Sequence, residues 1–506
     1  MPVIAPDPAQ ERTSEVAQTV KVRAISGVKA LAARTAFSVL LRVISSLFLA
    51  RLLFPKDYGL FGVVSSIAGL GMFLSDMGLA GALVRQDTRP SRNEAFTVFC
   101  AQQIITAMVV TAVVVTAPLL IPLYALPPSA ATLLYAMAFG LFFSSLRIVP
   151  MMALERDLKF TIIARCELLE NLVQTGSTIA LAYLGWGAWA LAGGGLLRGI
   201  AGLALVWTAS PWRPVGNFEI AIVRRLAKFG IAYQINALIP TLLGGWMPLV
   251  VGRILGVAAV GLVGWAANLA SVPLMLSAVL NRVAFPAYSR LQSDPEALGR
   301  YLTASIRRTG AVLSLAVPLI VFTCPVAIAA LFHARWAPAI PLVQWLSLEC
   351  SVLTLTGLLA SAQNAMGHSG ERLGVTIGIG GLRWGLGFLA VRHFGLLGIG
   401  PAVFSISLFE TWVSAHLVMR HAPGCRRLRR EIFQPILTVG AFLTAALGTG
   451  SALASHSILQ RAITELFVFL GLVALREKAT GGRILGTELC AIYAMLQPQR
   501  REQNAC

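Results

Sequence analysis

Charged residues are scarce in this sequence, and the residue patterns that mark catalytic or metal sites are missing. Only 12% of the 506 residues are charged, which is about half the usual share in a soluble protein. The seven cysteines form no CxxC pair and show no His/Cys metal spacing, so we expect neither disulfides nor a bound metal. A nucleotide-binding loop, a Ser/His/Asp set and an HExxH motif are absent as well. We therefore expect no catalytic residue, no cofactor and no enzymatic activity.

Long uncharged stretches dominate the chain instead. Mean hydropathy is +0.75, and residues 95–146 contain no Asp, Glu, Lys or Arg. A helix needs about 20 apolar residues to cross the hydrocarbon core, so this stretch alone holds two crossings. The sequence predicts an all-α, polytopic membrane protein with about fourteen transmembrane helices. The predicted spans are 31–53, 59–83, 95–120, 130–152, 162–183, 186–208, 229–251, 257–280, 303–326, 338–361, 372–391, 396–419, 434–455 and 460–476.

The distribution of Lys and Arg predicts the orientation in the membrane. With fourteen spans and a cytoplasmic amino terminus, 31 of the 41 basic residues fall on cytoplasmic segments and six on outer loops. This bias satisfies the positive-inside rule and places both termini in the cytoplasm. Because the membrane surface accounts for the net charge of +19, we expect membrane lipids rather than nucleic acid as partners. The polar first 20 residues show no signal peptide.

A short motif occurs twice, 202 positions apart. Residues 50–62 read ARLLFPKDYGLFG and residues 252–264 read GRILGVAAVGLVG, with five identical positions. In the predicted topology both copies lie in outer loops, each between the first two helices of a six-helix half, which indicates two related bundles. The predicted organisation is a cytoplasmic segment 1–30, a first six-helix lobe 31–209, a cytoplasmic linker 210–228, a second six-helix lobe 229–419, a basic cytoplasmic connector 420–433, accessory helices 434–476 and a cytoplasmic tail 477–506.

Six stretches that follow one another along the chain carry a family resemblance. They are LARLLFPKDYGLFG (49–62), FLSDMGLAGALVRQ (73–86), LERDLKF (154–160), GWGAWAL (185–191), VGRILG (251–256) and FPAYSRL (285–291). This ordered set resembles the Wzx-type polysaccharide exporters of the multidrug/oligosaccharidyl-lipid/polysaccharide superfamily, in particular the colanic-acid-exporter branch. The resemblance covers roughly residues 30–420.

The resemblance implies a flippase that moves an undecaprenyl-diphosphate-linked oligosaccharide repeat unit from the inner to the outer leaflet of a bacterial inner membrane, for surface polysaccharide biosynthesis. It also implies two six-helix lobes around a cationic cavity and alternating access. The candidate coupling ions are H⁺ and Na⁺, and the candidate protein partners are a polysaccharide polymerase and glycosyltransferases of the same pathway.

Two features of the family pattern are missing. Relatives often carry an acidic residue in span 7, where this chain reads LGGWMPL (243–249). Lipid II flippases of the same superfamily carry an Arg-Asp pair in the first helix, and its nearest counterpart here is Ser45-Ser46. We therefore carry neither site over to this chain.

Ionisable residues inside the predicted spans are the candidate site residues. A diphosphate needs a hydrated, positively charged cavity, whereas the alternative role for each arginine is a salt bridge or helix packing. The candidates for substrate binding are Arg42, Arg147, Arg198 and Arg383. The candidates for ion coupling or ion pairing are Asp76, Glu349 and Glu410, and Asp76 lies near the predicted depth of Arg42.

Two groups of glycines have spacings that let helices approach closely, and we expect packing roles for both. The first group is Gly193, Gly194, Gly195 and Gly199, and the second is Gly374, Gly378, Gly381 and Gly385.

Two other functions stay open at this point. A drug or cation antiporter of the same superfamily shares the two-lobe plan, but the deep arginines argue against it because cationic cargo favours an acidic cavity. A membrane glycosyltransferase, polymerase or ligase generally needs a sizeable outer loop, and the outer loops predicted here are short.

Overall fold

The computed structural model describes residues 41, 44–76, 78–85, 89–422, 424–425, 427–452 and 458–479, and every regular element in them is helical. The all-α prediction is therefore confirmed. The predicted segment 1–30, Arg42 and most of the predicted tail 477–506 lie outside the described residues. The helices are α1 (44–52), α2 (Pro55–Asp76), α3 (Leu79–Arg85), α4 (Arg92–Leu123), α5 (Ser129–Arg156), α6 (Phe160–Tyr183), α7 (Ala188–Ala209), α8 (Ile220–Gly244), α9 (Trp246–Leu255), α10 (Val257–Ala270), α11 (Val272–Arg290), α12 (Pro295–Leu331), a 3-10 helix (Ala334–Ala339), α13 (Ile340–Ala365), α14 (Ser369–His421), α15 (Leu428–Ala452) and α16 (Ile458–Ala479).

Seven helical segments of the described chain are long and apolar enough to cross a membrane. They are Arg92–Leu123, Ser129–Arg156, Ala188–Ala209, Pro295–Leu331, Ala334–Ala365, Ser369–His421 and Leu428–Gly448. The 53 residues of α14 contain two helices, because Gly395 leaves the helical conformation at φ 59° and ψ −141°. Each half, 369–394 and 396–421, is about 39 Å long at 1.5 Å per residue and can cross the membrane by itself. The count of fourteen spans stays a prediction.

Three predicted spans are divided into two helices each, which differs from the continuous helices that we expected. Span 2 is divided between α2 and α3, where Gly78 adopts φ 64°. Span 7 is divided at Gly245, between α8 and α9. Span 8 is divided at Ser271, and Pro273 follows in the first turn of α11, where its missing N–H breaks no helical hydrogen bond.

The duplicated motif has the same local structure in both copies. In the first copy α1 ends at residue 52 and α2 begins at Pro55, with the Asp57 carboxylate accepting a 2.9 Å hydrogen bond from the Phe54 N–H. In the second copy α9 ends at Leu255 and α10 begins at Val257, and Gly256 turns the chain at φ 83°. Both copies are therefore two helices joined by one or two residues, as the sequence predicts. Their placement in outer loops stays a prediction.

The chain divides into two compact units, Met1–Leu242 and Leu243–Cys506. In the first unit α4 packs on α5, and α7 packs on both α5 and α6. In the second unit α13 is the most enclosed apolar helix, because α10, α11, α12 and α14 all pack against it. Helices α15 and α16 pack against α12. The exact lobe boundaries that we assigned from the sequence stay a prediction.

A capping interaction fixes the start of α4 at the predicted cytoplasmic side. The Ser91 hydroxyl accepts a hydrogen bond from the Glu94 N–H (3.1 Å), and the Glu94 carboxylate accepts one from the Ser91 N–H (2.8 Å). The same carboxylate pairs with Arg225 on α8. Burial acts to raise the pKa of Glu94, but the Ser91 N–H and the Arg225 guanidinium outweigh it and hold the pKa below its ordinary value.

The predicted packing role of the glycines is correct for most of the first group and wrong for the second. A Cβ on Gly194 would lie 1.9 Å from the Thr178 hydroxyl oxygen, so α6 and α7 approach each other through the missing side chain. The described residues provide no atom within 4 Å of a Cβ on Gly195 or on any member of the second group. On α14 the close approaches occur at Gly380, against Leu243, and at Gly387, against Trp246. Sequence spacing shows that glycines share a face, but it does not show whether a neighbouring helix covers that face.

We expect Gly194→Ala to destabilise the protein and Gly195→Ala to leave stability unchanged or raise it. The added methyl at position 194 meets Thr178, and such overpacking costs about 1–3 kcal/mol. At position 195 the methyl meets open space, and alanine improves helix propensity by up to about 1 kcal/mol. Thermal unfolding of the purified variants in detergent measures the difference, and equal unfolding midpoints would contradict the close packing of α6 on α7.

Candidate functional site

A buried carboxylate in the first unit binds two of the predicted arginines. Glu170 on α6 has no exposed side-chain surface, and its Oε2 lies 2.9 Å from Arg147 Nη1 on α5 and 3.5 Å from Arg198 Nε on α7. Gln174, one turn after Glu170, accepts a 3.1 Å hydrogen bond from Arg198 Nη1. We call Arg147, Glu170 and Arg198 the Glu170 cluster, and it joins three consecutive helices of this unit.

The sequence of α7 makes room for this cluster. A Cβ on Gly202 would lie 2.6 Å from Glu170 Oε1 and 2.5 Å from Arg147 Nη1, so only glycine permits this arrangement. Glu170 Oε1 accepts no hydrogen bond within the described chain. Both ion pairs use the other oxygen.

In the Glu170 cluster two guanidinium groups face one carboxylate, and a second acid, Glu167, lies one turn earlier on α6 with a buried Oε2. The Arg147 side chain is 20% exposed, whereas the Arg198 side chain is 42% exposed. Arg198 is also farther from the carboxylate. It is therefore the arginine that can most readily turn toward an anionic ligand while Arg147 keeps Glu170 paired.

The second unit holds a larger network around Arg383 on α14. Arg383 Nη2 donates a 3.0 Å hydrogen bond to the Ser407 hydroxyl and lies 3.4 Å from Glu410 Oε2 and 3.6 Å from Glu349 Oε1. The Ser407 hydroxyl in turn donates to Glu349 Oε1 at 3.1 Å. Arg372 Nη2 lies 2.9 Å from Glu410 Oε1, and its Nη1 donates to the Ser414 hydroxyl at 3.2 Å. We call these six residues the Arg383 network.

Chain reversal at Gly395 brings the members of this network together. Arg383 stands twelve residues before Gly395 and Ser407 twelve residues after it, so their contact shows that the two halves of α14 form an antiparallel hairpin. Glu349 approaches from α13, the most enclosed helix of the unit.

Two arginines and two carboxylates make the Arg383 network electrically balanced. The pair between Arg372 and Glu410 is close and hydrogen-bonded, whereas Arg383 reaches both carboxylates at longer distances. Within the described chain, Arg383 Nε has no hydrogen-bond partner. Arg383 is therefore less firmly held than Arg372.

Sequence reasoning placed Arg147, Arg198, Arg383, Glu349 and Glu410 in the membrane, and the structure assigns each to one of the two clusters. It missed Glu167 and Glu170, although both acids lie inside predicted span 162–183, where the criterion that selected Glu349 and Glu410 applies to them as well. Arg372, the first residue of predicted span 372–391, was not among the candidates, and the structure pairs it with Glu410. Arg42 lies outside the described residues, as does the side chain of Asp76, so their predicted pair is not described. The ligand-binding roles stay predictions.

A basic cavity of about 620 Å³ lies at the predicted cytoplasmic end of the first unit. Its lining combines four arginines and one acid, Asp157, with apolar side chains such as Trp212. Two of the arginines are engaged with backbone carbonyls: Arg156 donates to Leu83 O and Arg213 to Ser210 O, both at 2.8 Å. The other two, Arg89 and Arg92, are exposed, and Arg89 Nη2 lies 3.8 Å from Asp157 Oδ1.

Comparison with known proteins gives a family match over more than half of the chain. The family described as "Polysaccharide biosynthesis protein" matches residues 48–341. Succinoglycan biosynthesis transport protein ExoT of Rhizobium meliloti (strain 1021) is 26% identical over 317 residues, 62% of this chain and 63% of ExoT. Lipopolysaccharide biosynthesis protein WzxC of Escherichia coli (strain K12) is 26% identical over 357 residues, 69% of this chain and 70% of WzxC. The chain thus spans less than two thirds of the length of ExoT.

Solved structures show the same fold at low sequence identity. Lipid II flippase MurJ, in an inward closed conformation, superposes with a TM-score of 0.69 at 13% identity, over 89% of this chain and 99% of MurJ. An inward-facing multidrug resistance MATE family transporter superposes with a TM-score of 0.57 at 14% identity, over 78% of this chain and 98% of the transporter. At these identities the likeness concerns the fold alone.

We expect Glu170→Gln to destabilise the protein by about 2–3 kcal/mol. Removing one partner of a fully buried ion pair costs about 3–5 kcal/mol, and the partial exposure of both arginines lowers that figure. The matched control is Glu296→Gln, which removes an exposed pair with Arg300 and should cost less than about 0.5 kcal/mol. Thermal unfolding in detergent measures both variants. Equal midpoints would show that Glu170 does not hold the three helices together.

Proposed function

The chain belongs to the polysaccharide biosynthesis protein family, and we propose that it is a flippase for a lipid-linked oligosaccharide. The expected resemblance to polysaccharide exporters is confirmed by this membership. We infer a cargo of an oligosaccharide repeat unit on undecaprenyl diphosphate, moved from the inner to the outer leaflet of a bacterial inner membrane by alternating access. The product would serve surface polysaccharide biosynthesis, such as exopolysaccharide, capsule or O-antigen.

The Glu170 cluster is the observation that carries this proposal. A diphosphate that crosses the apolar layer needs positive charge in place of its hydration. Two arginines face one fully buried carboxylate within the apolar helices of the first unit, so one arginine can leave it without leaving the carboxylate unpaired. We infer that Arg198 turns to the diphosphate while Arg147 stays with Glu170. Glu170 then keeps an ion-pair partner with and without cargo.

The Arg383 network supports a second element of the proposal, the coupling ion. Glu349 and Glu410 hold Arg383 as long as both carboxylates are charged. Protonation of either one, or binding of Na⁺ between them, weakens its attraction for Arg383. We infer that the coupling ion releases Arg383 to a cargo anion, and that Arg372 keeps its bond to Glu410 during this exchange.

The basic cavity supports the first step, capture of cargo from the inner leaflet. Its lining has four arginines against one acid and includes apolar side chains. A phosphate head group on a polyprenyl chain has the same amphipathic character. Arg92 is exposed, and so is Arg89 in its 3.8 Å pair with Asp157, so both can contact the head group from solvent.

An antiporter of drugs or cations is the alternative function. The MATE transporters share the fold, but the partly exposed Arg198 of the Glu170 cluster disfavours cationic cargo because a guanidinium group repels a cation. A membrane glycosyltransferase or polymerase is the less favoured alternative. The cytoplasmic placement of both termini and an association with a polymerase and glycosyltransferases of the pathway are further parts of the proposal.

We expect Arg383→Ala and Arg198→Ala to lower transport about tenfold or more, and Arg392→Ala to leave it nearly unchanged. The loss of one charge-assisted contact to a diphosphate corresponds to about 1.5–3 kcal/mol. Arg392 is the matched control because it lies on the same half of α14 as Arg383 and is exposed. Each variant is returned to a deletion strain, and the leaflet that holds the lipid-linked oligosaccharide is determined.

Two outcomes would each contradict a different part of the proposal. Normal surface polysaccharide in a deletion strain that lacks a paralogue would overturn the flippase function. Equal transport by the Arg383→Ala and Arg392→Ala variants, at equal amounts in the membrane, would leave the flippase function intact and remove Arg383 from the site.

A further inference from the structure

Three potential metal ligands meet at the open end of the α14 hairpin. His368 caps the first half, Glu371 lies in its first turn, and His421 is the last residue of the second half. His421 Nε2 lies 3.3 Å from the Glu371 carboxylate, and His368 Nδ1 lies 3.7 Å from it. One ligand atom from each residue lies within 4.8 Å of the other two. We call these residues the His368 cluster.

The donors and their spacing fit a divalent transition metal. Two imidazoles and one carboxylate are a common three-ligand set for zinc, with water in the fourth position. Ligand atoms at about 2.1 Å from a tetrahedral ion lie roughly 3.4 Å apart, close to the two distances to Glu371. Calcium and magnesium prefer oxygen ligands, so a site with two nitrogen donors disfavours them.

The three side chains need to move little to coordinate an ion. The two imidazole rings are stacked at 3.7 Å between centroids with planes 21° apart, so both already stand beside the carboxylate. One nitrogen of each ring already lies within 4.8 Å of the other two ligand atoms, so coordination of a shared ion requires movement of side chains only. The three side chains are 30–40% exposed, which lets an ion enter from solvent. The adjacent Arg372 is bound to Glu410, so its charge is partly compensated.

We propose that His368, Glu371 and His421 bind a divalent first-row transition-metal ion such as Zn²⁺, which fastens the two halves of α14 to each other. Gly395 joins the halves at one end, and the metal would join them at the other. The Arg383 network lies between these two points on the same hairpin. Metal binding would therefore limit separation of the halves and keep the network assembled.

The test is a Zn²⁺ titration of the purified full-length protein in detergent, carrying an affinity tag without histidine. Zn²⁺ that binds only the folded state raises the unfolding midpoint, and we expect a rise of about 2 °C or more that a chelator reverses. The same rise should occur in His393→Ala, a variant of an exposed histidine on α14 far from the cluster. It should be absent from His368→Ala and His421→Ala.

Co²⁺ provides a second measurement that does not depend on stability. Bound in place of Zn²⁺, it should give visible absorption bands typical of tetrahedral coordination in the wild type and in His393→Ala, and these bands should disappear in Glu371→Gln. The Glu371→Gln variant keeps the shape of the side chain, so it can replace a histidine variant that does not fold.

Absence of a midpoint shift and of Co²⁺ bands in the wild type would overturn the proposal. So would equal responses in wild type and cluster variants. Transport is not measured, so failure here leaves the flippase proposal untouched.

Discussion

Charge placed among apolar helices must be compensated, and this requirement governs both units of the protein. An isolated ion in a low-dielectric medium is so unfavourable that it finds a partner or loses its charge. Here Glu170 is fully buried and joins three helices of its unit, Glu349 joins α13 to the α14 hairpin, and Glu410 joins the two halves of that hairpin. The charges that serve the proposed transport are therefore also the charges that connect the helices.

The two units satisfy this requirement with different sets of ion pairs. The Glu170 cluster holds two arginines on one carboxylate, whereas the Arg383 network pairs two arginines with two carboxylates. In the Glu170 cluster one arginine can turn to an anion while the other keeps the carboxylate paired. The balanced Arg383 network attracts an anion only after a carboxylate is neutralised. The asymmetry suits a cycle in which one unit binds the cargo and the other responds to a coupling ion.

Sequence reasoning could predict the helices that carry the arginines, but not the acidic partners of those arginines. Hydropathy and charge counts suffice for the fold class, since a helix buried in lipid needs a long apolar run. The partner of Arg147 depends on Gly202 of α7, which makes room for Glu170, and a linear pattern does not show this contact. Arg372 likewise appears at a span boundary in sequence, and only the reversal at Gly395 brings Glu410 to it. Gly374 and Gly378 are the converse case: they have the spacing of a packing face, but no atom of the described residues lies within 4 Å of a Cβ placed on either glycine.

The polar groups of the α14 hairpin are spaced so that those of one half face those of the other. Their contacts hold the two halves together. Ser407, Glu410 and Ser414 follow one another at three and four residues, so they share one face of the second half. The first half presents Arg383 and Arg372 to that same face. Separation of the halves would break these contacts together and expose several charges at once to an apolar medium. Exchange of ion-pair partners within an intact hairpin exposes no charge to the apolar medium. When one group of the network changes its charge, such an exchange therefore costs less free energy than separation of the two halves.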